Sequence, residues 1–68
     1  MNSFVVKENK NFRLRVEKNL CANPADLYSI NFISECIDDR GKITDVNTYN
    51  FFLTNQEIQT LAVRLIND

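Results

Sequence analysis

The sequence predicts an α+β domain: a four-stranded antiparallel sheet, connected as a meander, followed by one C-terminal α-helix packed on one face. Three observations carry this. Four β-rich runs are separated by polar turn residues and the chain's only glycine and proline. "FRLRVEK" (12–18) alternates strictly, with Phe12, Leu14 and Val16 in one phase and Arg13, Arg15 and Glu17 in the other. The last stretch then changes period, placing Ile58, Leu61, Ala62 and Leu65 at the i, i+3, i+4, i+7 spacing of a helix stripe.

The first strand is read over 3–7, "SFVVK", short and β-branched, with "ENKN" (8–11) as a polar four-residue connection. After the alternating second strand, "NLCANPAD" (19–26) holds Asn23-Pro24, which favours a turn and makes this the longest loop. "LYSINFISECI" (27–37) resumes a strand with Tyr28, Ile30 and Phe32 in phase. Ile33 and Ile37 break that phase, which implies a bulge or a strand covered on both faces. "DDRG" (38–41) is a turn in which Gly41 supplies the left-handed position. "KITDVNTYNFFL" (42–53) returns as a long strand, with Ile43, Tyr49, Phe51 and Leu53 in one phase and Val46 and Phe52 in the other.

No glycine or proline turns the chain from this strand into the helix. Thr54 and Glu57 instead form a capping box, the hydroxyl meeting an orphan amide and the carboxylate reaching back to the cap's own N–H. Leu53 and Ile58 stand at the two positions of a hydrophobic staple, which fixes the angle between strand and helix.

The 68 residues make one domain, 1–68, too short to bury a large core. Domains of this size commonly lean on disulfides, metal or oligomerisation. Cys21 and Cys36 lie fifteen positions apart with no histidine in the chain, which is not a zinc spacing. "MNSFVVKENK" lacks an apolar signal core, and no run approaches a membrane span, so the expectation is a cytoplasmic chain with free thiols and no membrane partner. Self-association remains as the staple. Val63 and Ile66 widen the helix stripe beyond what one sheet face needs, so Leu61, Val63, Leu65 and Ile66 are the candidate homodimer contacts. A bland alternative makes Val63 and Ile66 ordinary exposed apolar residues. Ten asparagines fit an A/T-rich genome of bacterial or phage type.

Without histidine or a second glycine, a Ser-His-Asp or Cys-His constellation and a glycine-rich phosphate loop are excluded. Asp38 and Asp39 are explained by the turn, and Cys36 reads as a buried structural thiol rather than a nucleophile. The expectation is a non-enzyme with no cofactor and no metal.

A net charge of −1 gives no global pull toward nucleic acid. Locally, Arg13, Arg15 and Lys18 could meet phosphates, with Tyr49 stacking on a base, as single-strand binders do. Glu17, Glu35, Asp38, Asp39 and Asp45 are interspersed with them. The alternative is a protein-binding regulatory or accessory module that uses a sheet face or a strand edge.

The C-terminal half, "DDRGKITDVNTYNFFLTNQEIQTL", resembles the end of the positive-cofactor-four type of transcriptional coactivator domain. The likeness covers residues 11–66 by element order, and Gly41 and Leu53–Leu61 by residue pattern. It implies a curved four-stranded sheet with one helix, homodimerisation through the helices, and single-stranded DNA on the concave sheet surface. The chain departs from that pattern where the family tends to carry lysines before the cap: Tyr49, Asn50 and Phe51 stand there. It departs again at Ile58, where the family carries an aromatic.

Overall fold

The structure, a computed structural model, describes residues 2–67. Its elements run β1 (Asn2–Asn9), β2 (Phe12–Leu20), β3 (Leu27–Ile37), β4 (Ile43–Thr54) and α1 (Asn55–Asn67). The strands form one antiparallel sheet in the order β1-β2-β3-β4, the expected meander with its C-terminal helix.

Each turn follows from its own residues. β1 and β2 are joined by a tighter turn than the four-residue connection expected, because Asn9 already pairs with Phe12. The Asn9 side chain accepts from the Asn11 amide at 2.9 Å, a local bond that replaces a longer loop. In the β3–β4 turn, Asp38 Oδ1 accepts from the amides of Arg40 and Lys42, each at 2.9 Å. Gly41 takes φ 84°, as the turn requires. The loop at 21–26 contains a cis Asn23–Pro24 peptide.

The register assigns every strand side chain to one of two faces. Face one carries Val16 of β2, Phe32 of β3 and Tyr49 of β4 in one row, and Lys18, Ile30 and Phe51 in the next. Face two carries Arg15, Ile33 and Thr48, flanked by Arg13, Glu35 and Val46. Val16 and Ile30 are buried on face one, and Ile33 on face two. The phase break at Ile33 is therefore a strand packed on both faces, and the irregularity at Cys36/Ile37 is the bulge that ends it. Cys36, expected to be buried, is exposed, near the end of β3 opposite Asp45. Both thiols are free.

The capping box forms in both directions: Thr54 N–H donates to Glu57 Oε1 at 2.9 Å, and Glu57 N–H donates to Thr54 Oγ1 at 3.2 Å. The helix it starts does not close onto the sheet. No helix residue is buried, and its nearest neighbour among the strands is β4. The expected core stripe is thus only partly realised: Ile58 is half-buried, but Leu61 and Leu65 are 44% and 76% exposed. The chain is correspondingly extended. Its radius of gyration is 14.2 Å, against about 11 Å for a compact 68-residue domain.

Candidate interaction surface

The four residues expected to hold nucleic acid do not share a face. Arg13 and Arg15 lie on face two, and Lys18 and Tyr49 on face one. Side-chain alternation along β2 separates Lys18 from Arg13 and Arg15, and the pairing of Tyr49 with Phe32 puts Tyr49 on face one.

On face two the arginines are engaged by carboxylates. Arg13 Nε donates to Glu35 Oε1 at 2.8 Å, and Arg15 Nε reaches the same oxygen at 3.2 Å. Arg15 Nη1 also donates to Glu17 Oε2 at 2.9 Å, and Arg13 Nη1 lies 3.6 Å from Glu8. Glu35 is buried at the centre of this cluster. Hydrogen bonding from Arg13, and then from Arg15, holds its carboxyl below the ordinary value against the cost of desolvation. In return, the bond to Glu35 raises the Arg13 pKa, and the bond to Glu17 is the main cause for Arg15. Two guanidinium groups facing three carboxylates make a neutralised patch rather than a phosphate track. Beside it, Asn50 Nδ2 donates to Asn31 Oδ1 at 2.7 Å and Ser29 Oγ at 2.8 Å, continuing a polar face.

Face one is different. Phe4 and Val6 of β1, Val16 of β2, Ile30 and Phe32 of β3 and Leu53 of β4 floor an open apolar groove of about 430 Å³. Ile58, Leu61, Ala62 and Leu65 of α1 form its other wall, and Lys18 stands at its margin. The Lys18 ammonium sits 4.3 Å from the Tyr28 ring centroid, a cation–π contact. Phe32 and Phe51 meet edge to face at 6.1 Å. Tyr49 is 60% exposed.

The expected homodimer residues are the most exposed apolar side chains of the helix. Val63 is 55% and Ile66 79% exposed, beside Leu61 and Leu65. The sequence reading missed Glu35, which organises both arginines, and the contribution of Phe4 and Val6 to the groove. A lone glutamate inside an apolar strand was the available signal for the first. The second needed the β1–β2 register.

Among the described residues, no cluster of histidine, cysteine or carboxylate side chains could hold a metal ion, and no helix is long and apolar enough to cross a membrane. Comparison with known proteins finds no matching family model and no significantly similar curated protein or solved structure.

Proposed function

We propose that this chain is a small non-enzymatic binding module that acts as a homodimer and recognises a protein partner. One observation carries the homodimer: the apolar groove of face one and the outer side of α1 are left uncovered in a single copy. The area fits. The chain exposes 5292 Å², about 900 Å² more than a compact monomer of its 7.9 kDa mass. A standard interface removes about 800 Å² from each partner. The Arg13–Arg15–Glu35 cluster weighs against nucleic acid on face two, because its charges are already satisfied within the chain.

Unfolding measured over a hundredfold range of chain concentration tests this reading. A homodimer gains stability with concentration by mass action, so its melting temperature rises; a constant melting temperature contradicts it.

Single-strand binding is the second reading, supported by Lys18, Tyr28, Tyr49 and Phe51 on one face and by the resemblance in element order. Titration of labelled oligothymidine at low and moderate salt separates the two. Binding that weakens steeply with salt favours the nucleic acid, and no binding at low salt retires it.

A further inference from the structure

The homodimer reading leaves open which surface of β4 and α1 the second copy occupies, and the two edges of the sheet differ in a way that answers this. β1 is guarded: its register shifts between Val5 and Lys7, and Lys7 and Glu8 stand on the edge itself. Bulges and charges are what isolated edge strands use against further pairing. β4 has neither from Val46 to Thr54. It pairs with β3 without interruption from Asp45 to Thr54, contains no proline or glycine, and has one charged residue, Asp45. The helix that follows β4 directly leaves Val63 and Ile66 exposed as well.

We propose that two copies join through antiparallel pairing of their β4 outer edges, making one continuous eight-stranded sheet with both helices on the same face. This rests on the homodimer reading and specifies it. Residues directly opposite each other in a ladder share a face, so a two-fold axis must pair residues of equal parity. Centring the axis on Tyr49 gives residues 44–54 against 54–44 of the second copy. That register sets Tyr49 against its own counterpart on face one and Phe52 against Val46 on face two. The last two are 61% and 49% exposed in one copy and have no other apolar cover on β4. Aromatic and aromatic–β-branched pairs of this kind stabilise sheets. Asp45 falls opposite Leu53, so the strand's single charge does not meet itself.

The test uses the full chain with Cys21 and Cys36 replaced by serine. Tyr49→Cys places two thiols directly opposite across the axis, within the separation a disulfide spans. Asn47→Cys places them about 14 Å apart along the strands. Oxidised glutathione is expected to convert most of the Tyr49→Cys chain to a covalent dimer and to leave Asn47→Cys as single chains. Sedimentation before oxidation separates the two failures. A dimer that cross-links at neither position, or equally at both, overturns the β4 edge while the homodimer stands. A single-chain mass for both variants and for the unsubstituted chain overturns both. Amide exchange on the unsubstituted chain gives a second readout: alternate, outward-facing amides of 44–54 are expected to be protected, and those of β1 to exchange fast. Equal, fast exchange at both edges also overturns the proposal.

Discussion

The two edges of this sheet solve the same physical problem in opposite ways. β1 ends the sheet with a bulge and charged residues, and every residue of it is exposed. β4 is longer, nearly uncharged and in unbroken register from Asp45 to Thr54, and it too is exposed over most of its length. Exposure alone therefore does not distinguish them. Both leave apolar side chains in water. What distinguishes them is that β1 adds Lys7, Glu8 and a bulge to Phe4, Val5 and Val6, whereas β4 runs from Val46 to Thr54 with no charge. An edge built to stay single can be told from one built to be covered by its charges and its regularity.

Matched lysine substitutions on the two edges should give the largest contrast. Phe52→Lys on β4 is expected to weaken self-association at least a hundredfold by sedimentation, since it puts a charge opposite the partner's Val46. Val5→Lys on β1 is expected to leave it unchanged. Equal effects at the two edges would dissolve the distinction. Ile66→Lys extends the test to the helix: the fold should persist and self-association should fall roughly tenfold, the cost of about 1.4 kcal/mol at an interface margin. If dimer mass and melting temperature both survive it, the outer side of α1 is not part of the interface.

The centre of the sheet should behave unlike either edge. Glu35 is held below its ordinary value of 4.5 by Arg13 and Arg15. A carboxylate depressed in the folded state contributes stability that is present above the unfolded pKa and is lost as pH falls through the folded one. Unfolding midpoints should therefore drop on acidification below about pH 4.5, and Glu35→Gln should flatten that part of the profile. An unchanged acid limb would mean that the cluster does not couple to folding. The smallest effect belongs to the junction of β4 and α1, where Thr54→Ala should cost about 1 kcal/mol by chemical denaturation through loss of the cap. An unaltered midpoint would place the helix start elsewhere.

The parts of the fold legible in the sequence were those set by near neighbours. Gly41, the Asp38 side chain and the Thr54–Glu57 box each act over a few residues, and each forms as its spacing implies. The tight β1–β2 turn was less legible because Asn9 can serve either as strand or as loop. The candidate site divided along the same line. Parity along β2 already separates Lys18 from Arg13 and Arg15, so that split was readable. The face of Tyr49 depends on how β4 registers against β3, and the clustering of Glu35 with both arginines depends on β2 against β3. The β2–β3 register is set by no local residue, and the irregularity beside the β3–β4 turn shifts the β3–β4 register by one. The stand-off of α1 from the sheet was also hidden, because an apolar stripe specifies which side of the helix faces the sheet without saying how closely it packs there.

Sedimentation equilibrium of the unsubstituted chain, from low micromolar to millimolar concentration, tests the central claim most directly. The account predicts a two-chain mass that gives way to one-chain mass only on dilution, with loss of folded signal accompanying it. A folded chain that stays at one-chain mass throughout would contradict the account, for the β4 edge would then be stable uncovered.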